Sequence, residues 1–413
     1  MVSPAAPVVY LTDVEGRWDK LLDFLEGNPW VTLAEGDRLA LHPDAVLVFG
    51  GDAVDRGPDG RRFLRALVDV KLRHPSRVVL LAGNRDINKL RLPRELRGHP
   101  PEKMPPEVRE RPVTEQLPWI LEHTMGAKEA FAHRRAELSR EHPAPDDQRV
   151  VDSFLEDVAP GGAVLAYLRL AQLGWRHGET LFLHGGVTDE NHGVVPGSDL
   201  RAPDVDAWVR ALNDFYGAHL GAYCDARTDA EGRGAWEPLV AYQAPLPGTK
   251  INQRSVVYAR LSLDNAPRVP SQAVTAWLRA SGVRRVLLGH TPSGEFPSVL
   301  RRDGVEFVQA DTSYARPERG PRVTLQGPCL TVEGHATQGM DTAPSVVRFS
   351  TRSDDPDELV GRWDPQSGHL VKGRLATGDY VLFRWCEGFA SEQLRVTEEA
   401  LRARALEPPP TTG

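Results

Sequence analysis

The sequence predicts an α/β fold, a sheet or sandwich of mixed strands flanked by helices, from three observations. Six short runs are almost continuously apolar and end in residues able to do chemistry: VVYLTD (8–13), AVLVFGGD (45–52), RVVLLAGN (77–84), TLFLHGG (180–186), RRVLLGH (284–290) and VEFVQAD (305–311). Central strands buried on both faces read this way. Between several of them the apolar spacing becomes helical, and such alternation puts functional residues at strand C-termini. The chain of 413 residues, 40% hydrophobic and 26% charged, has a soluble globular composition, with no window near the roughly 20 apolar residues that span a bilayer.

The elements follow in order. GRRFLRALVDVKLR (60–73) carries apolar residues at 63, 64, 67, 68 and 72, one face of a helix. Residues 87–179 break the rhythm: a stretch rich in proline and charge precedes helical patterns, the clearest being GGAVLAYLRLAQLGW (161–175). This predicts a mostly helical insertion or lid between the third and fourth strands. A further helix is expected over 204–220, and another from Ser271, an N-cap, to a stop at Gly282. Trp18, Trp208 and Trp277 occupy apolar helical positions and belong to the core. Past residue 325, SVVRFS and HLVKGRLATGDYVLFRW alternate like strands, and SEQLRVTEEALRARAL reads as a helix. The expected division is a domain over 1–325, a small β-rich appendage over 326–405 and a disordered tail over 406–413.

Composition narrows the function. A net charge of −7 argues against a surface built to wrap nucleic acid. Three scattered cysteines (Cys224, Cys329, Cys386) make neither a disulfide framework nor a thiolate zinc site, and Cys224 reads as packing. The N-terminus lacks a basic start and long apolar segment, so a reducing cytoplasm is expected and a membrane is not. His42, His74, His123, His133 and His142 lie in polar or helical surroundings and read as surface residues.

The strand ends carry the chemistry. Asp13 and Glu15, two carboxylates beside Gly16, suggest a metal cradle, and GDAVDRG (51–57) places two Asp and an Arg within a few residues of a buried strand, which packing explains poorly. Together DVEG (13–16), GDAVDRG, GNRD (83–86), HGG (184–186) and GHTP (289–292) resemble, in order and approximate spacing, the calcineurin-like metallophosphoesterases. GDAVDRGPDG and HGGVT are most similar to the phosphoprotein-phosphatase and diadenosine-polyphosphate hydrolase branch. The resemblance covers roughly 8–315, with 87–179 and the C-terminal region unmatched. It implies a two-sheet β-sandwich and two divalent cations about 3.5–4 Å apart, with a water activated between them as nucleophile. By resemblance Asp13 and Asp52 hold the first cation, Asp52 bridges, and Asn84, His184 and His290 complete the second. Glycine beside Asp52, Asn84, His184 and His290 lets the backbone turn sharply or a phosphate approach.

Two residues depart from that pattern. Glu15 stands where the family has His; its reach matches that of the distal imidazole nitrogen, so it reads as a substitute ligand. An all-oxygen first site favours Mn²⁺, with Mg²⁺ an alternative and Fe or Zn left open at the second site. Arg85 stands where most relatives carry a His near the leaving group. Arginine cannot act as a general acid but can grip two phosphate oxygens. Asp55 would pair with Arg85 or Arg56, and Arg56 is the phosphate-contacting arginine by match. Arg254 and Arg260 are looser matches to a further phosphate contact, and Lys89, Arg91, Arg94 and Arg97 could steer anions. The expectation is a phosphohydrolase acting on phosphoanhydrides or activated esters of a small molecule or nucleotide. A protein Ser/Thr or phosphomonoester phosphatase is an alternative, as is a phosphate-binding module with a degenerate site.

Overall fold

The computed structural model describes residues 6–141, 143–198, 201–227, 233–314, 320–340, 344–352 and 359–411. Two sheets form its centre. The larger has seven strands in the order Ser345–Arg352, Cys329–Ala336, Arg322–Gln326, Val8–Leu11, Val46–Phe49, Val78–Leu81, Ala171–Gln172. Its last four strands are parallel, and Arg322–Gln326 joins Val8–Leu11 antiparallel. The second has five, in the order Ser298–Arg302, Val305–Asp311, Arg285–Pro292, Thr180–Leu183, Gly174–His177.

Alternation along the strands assembles the layers. Val8, Tyr10, Val46, Val48, Val79 and Leu81 face Phe182, Leu287, Val299 and Val308 in one buried cluster, with the Tyr10 and Phe182 rings 6.0 Å apart. The residues between them, Val9, Leu11, Leu47, Phe49, Val78 and Leu80, pack outward against Trp18–Leu25, Gly60–Arg73 and Ala163–Leu168. On the second sheet Val286 and Leu288 face Val205–Cys224 and Gln272–Ala280 in the same way. The result is a mixed α/β sandwich with helices on its outer faces. Trp208 is fully buried, Trp18 nearly so, and Trp277 half-buried against Trp208.

Residues 84–168 are helical among those described and build a core of their own from Leu92, Leu117, Ile120, Leu121, Val150 and Phe154. An ionic seam docks it on the helix Gly60–Arg73: Arg61 Nε lies 2.9 Å from Asp157, which also takes Arg134 at 2.6 Å. The helix expected over 161–175 stops at Leu168. The chain then supplies an edge strand to each sheet in turn, pairing Ala171 with Leu80 and Trp175 with Phe182; closing two open edges outweighs helical spacing there.

Past residue 325, Cys329–Ala336 and Ser345–Arg352 extend the larger sheet, and Trp363–Asp364, His369–Arg374, Tyr380–Trp385 and Ser391–Val396 form a separate four-stranded sheet. Trp385 Nε1 donates to Pro292 O at 2.8 Å, tying that sheet to the segment just after His290. The helix expected over 391–406 is confined to Glu398–Arg402, capped by Thr397, because Ser391–Val396 pairs with Tyr380–Trp385. Residues expected as a loose tail are engaged as far as 411: Glu407 pairs with Trp363, and Val269 N donates to Pro410 O at 3.0 Å. No helix of the described residues is long and apolar enough to cross a membrane.

Candidate metal centre

Asp13, Asp52, Asn84, His184 and His290 all stand at or just past the C-terminal ends of five strands, on one end of the sandwich. Their loops brace one another through the backbone: Asp13 N donates to Gly51 O (3.0 Å), Glu15 N to Asp52 O (3.0 Å), and Gly289 N to His184 O (2.9 Å). Asp13, Glu15, Asp52, Asp55 and His290 have φ of 51°, 52°, 57°, 108° and 59°. Side chains other than glycine rarely adopt that region, at about 1–3 kcal/mol each, and such strain collects at functional sites. Two glycines show why the family motifs are glycine-rich. A Cβ on Gly83 would overlap the Asp52 carboxylate, and one on Gly289 would overlap Asp13 and Thr12.

Asp52, His184 and His290 are buried, and their ligand atoms all lie within 4.8 Å of one another. His184 Nε2 stands 3.3 Å from Asp52 Oδ1 and 3.2 Å from Asn84 Oδ1, while its Nδ1 meets Gly50 O at 2.8 Å. That second contact fixes the ring and leaves Nε2 for the centre. Burial alone would lower the His184 pKa, but Asp52 outweighs it and pushes it up to about 10. Asp52 is held below the usual carboxylate range, His184 and Arg85 overcoming its burial. Burial, then Arg260 and His184, hold His290 well below the ordinary value, a neutral imidazole suited to a cation. Burial and the neighbouring Asp311 push Asp13 well above. Two buried carboxylates, an amide oxygen and two imidazoles, with positive charge called for at their centre, fit divalent cations.

The residues that depart from the family pattern meet each other. Glu15 Oε1 lies 2.6 Å from Arg85 Nε and its Oε2 lies 2.9 Å from Arg56 Nε, the glutamate being buried. Arg85 also approaches Asp52 Oδ2 and Asp55 Oδ2, each at 3.6 Å. Asp55 takes its short contact from Lys89, whose Nζ donates to Asp55 Oδ2 (2.7 Å), Asn88 Oδ1 (2.7 Å) and Arg85 O (2.9 Å). Arg56 lies 3.8 Å over the Tyr314 ring.

A cleft of about 580 Å³ opens from this centre, lined at its inner end by Asp13, Glu15, Asp52, Arg85, His290 and Asp311. Arg260 lines it too, its Nε 3.3 Å from His290 Nε2, whereas Arg254 is exposed and pairs with Glu190 at 3.4 Å. Arg260→Ala is therefore expected to raise KM for a phosphate substrate about tenfold, the loss of one charge-assisted contact, and Arg254→Ala to change it less than about twofold; steady-state kinetics of the two variants checks this. Of the basic cluster, Lys89 is buried beneath the site, Arg91 lines the cleft, Arg94 pairs with Glu237 and Arg97 is exposed.

Sequence reasoning missed several residues. His123 lines the outer cleft although exposed, as do Lys103 and Lys250. Asp86 accepts hydrogen bonds from Gly83 N (2.9 Å), Asp52 N (3.0 Å) and Ala53 N (2.8 Å), locking the Asp52 loop to GNRD. Buried Lys20 donates to Asp13 O at 2.7 Å. Cys224, expected to pack, is exposed at its helix end. His142 lies outside the described residues.

A sandwich with carboxylate, amide and imidazole donors converging at its strand ends defines a metal-dependent hydrolase. The calcineurin-like phosphoesterase family matches residues 6–294, and the chain belongs to it: it is a metallophosphoesterase, of a family that binds two divalent metals. Solved structures similar to it include a cold-active protein-tyrosine phosphatase of a psychrophilic Shewanella species, at 16% identity over 83% of this chain and 80% of that one, TM-score 0.46. A protein serine/threonine phosphatase from Saccharomyces cerevisiae matches at 12% identity over 87% and 83%, TM-score 0.41. A metallophosphoesterase from Sphaerobacter thermophilus matches at 10% over 78% and 84%, TM-score 0.28. No curated protein matches the chain.

Proposed function

We propose that the protein hydrolyses phosphoanhydrides or activated phosphate esters of a small molecule or nucleotide, using Mn²⁺ or Mg²⁺ held by Asp13 and Asp52 on one side and Asp52, Asn84, His184 and His290 on the other. When bound, the two cations supply a nucleophile at neutral pH and neutralise charge on the phosphate. The observation that carries the reading is Arg85. It occupies the position after Asn84, and although burial opposes its charge, Glu15, Asp52 and Asp55 outweigh burial and keep it protonated. It binds phosphate oxygens and holds them against the cations, but gives no proton to a departing oxygen. Arg56 and Arg260 add positive charge around the same space. A leaving group that departs without a proton, such as a phosphate or nucleotide, suits this arrangement.

The test compares Mn²⁺-loaded protein on a nucleoside diphosphate, an aryl phosphate and a phosphoserine peptide. The first two are expected to turn over at least about 10²-fold faster than the peptide, the usual size of general-acid assistance. A peptide rate matching the others supports the protein-phosphatase alternative. A chain that binds no Mn²⁺ and turns over nothing supports the degenerate binding module.

A further inference from the structure

Both oxygens of Glu15 face arginines. Oε1 lies 2.6 Å from Nε of the buried Arg85, and Oε2 lies 2.9 Å from Nε of the half-buried Arg56 in an ion pair without hydrogen-bond geometry, so turning either toward a cation would break an ion pair. Across the same cleft lies another buried carboxylate, Asp311. Asp311 ends the strand Val305–Asp311, which runs parallel to Arg285–Pro292 with Asp311 opposite Pro292, two residues beyond His290. Its Oδ1 accepts from Ser313 N at 2.7 Å, and its Oδ2 meets no donor among the described residues. The residue is 2% exposed and lines the cleft together with Asp13, Asp52 and His290. Lys20, the nearby buried ammonium, spends its short contact on Asp13 O instead.

We propose that Asp311 completes the protein ligands of the first cation, and that Glu15 is a positioning residue that pins Arg56 and Arg85 as a two-arginine phosphate clamp. The assignment rests on the two-cation reading above. Asp13 and Asp311 are both buried carboxylates at the inner end of the cleft beside the bridging Asp52, and a cation among such groups relieves their repulsion. The two departures from the family pattern are then one exchange. A His-to-Glu change at 15 would leave a buried anion without its counter-charge, and Arg85 provides it; a lone Arg85 would be a buried cation, and Glu15 orients it. The displaced ligand function passes to Asp311. The first site stays all-oxygen and keeps its preference for hard cations.

The experiment counts Mn²⁺ per chain by elemental analysis after gel filtration and follows the exchange-coupled Mn²⁺ signal by EPR, in wild type, Asp311→Asn and Glu15→Gln, with circular dichroism as the check on folding. Wild type is expected to hold two ions with a coupled signal. Asp311→Asn should bind the weaker ion at least about tenfold less tightly and lose the coupling. Glu15→Gln should keep both ions and the coupling, while inorganic phosphate binds about 10- to 100-fold more weakly, the loss of charge-assisted orientation. Two tightly held, coupled ions in Asp311→Asn, or loss of one ion in Glu15→Gln, overturns the assignment. Should Asp311→Asn not fold, the ion count of Glu15→Gln decides alone. A wild type that binds no ion refutes the two-cation reading itself, a separate result.

Discussion

Asp52→Asn is expected to lower kcat/KM by on the order of 10³ or more, about 4 kcal/mol of transition-state stabilisation, and to drop Mn²⁺ content below two per chain. The side chain keeps its shape, so the effect isolates charge. Asp52 Oδ1 accepts from Arg85 N at 2.8 Å and stands 3.3 Å from His184, while its Oδ2 faces Arg85 Nε at 3.6 Å. An amide can satisfy only one side; its NH₂ must then meet either a backbone N–H or a guanidinium, donor against donor. The loop itself should hold, because Asp86 grips the Asp52 and Ala53 backbone independently of the Asp52 side chain. An unchanged circular dichroism spectrum with lost metal and lost turnover is the expected result. In the cation-free protein the same substitution should bring the His184 pKa down from about 10, since Asp52 is what raises it; ¹⁵N NMR titration reads this directly. Normal turnover in Asp52→Asn would remove the bridging role.

The central strands were legible because burial on both faces makes them continuous in Val, Leu and Phe, and all six runs became strands. The helices Gly60–Arg73, Val205–Cys224 and Gln272–Ala280 likewise follow from spacing, each laying one apolar face on a sheet. Where the reading of 161–175 and 391–406 as helices failed, strand pairing overrides helical spacing: Ala171–Gln172 joins Leu80–Leu81, distant in sequence, and Ser391–Val396 pairs antiparallel with the preceding strand Tyr380–Trp385. The site divides in the same way. Asp52, Asn84, His184 and His290 carry a glycine within one residue, and Asp13 has Gly16 three residues on, a local mark of a crowded turn. Asp311 ends an apolar run but has no such neighbour, and its relation to Asp13 arises only when the two sheets close. Glu15 was read by its reach alone; that its oxygens face Arg56 and Arg85 depends on two other loops folding over it.

Arg85→Ala should slow hydrolysis of every substrate by a similar factor, about 10²–10³, the usual cost of removing one preorganised charge-stabilising donor. The uniformity is the informative part. A group that only stabilises charge on the transferring phosphate acts equally whatever leaves, whereas a proton donor matters most when the leaving oxygen is basic. In wild type, rates over a series of aryl phosphates should therefore fall steeply as leaving-group pKa rises, and Arg85→Ala should give a parallel line displaced downward. Arg85→His is the converse experiment. It should restore rate selectively toward basic leaving groups if Asp55 orients the imidazole, and Lys89, 2.7 Å from Asp55, competes for that carboxylate. Pairing Arg85→His with Lys89→Met, which frees Asp55 at little change in volume, should flatten the dependence further. A flat dependence in wild type, with chemistry rate-limiting, would contradict the mechanism. It would point to an acid already in the cleft, Tyr314 or His123, and the wild-type slope would then steepen in the variant lacking that group.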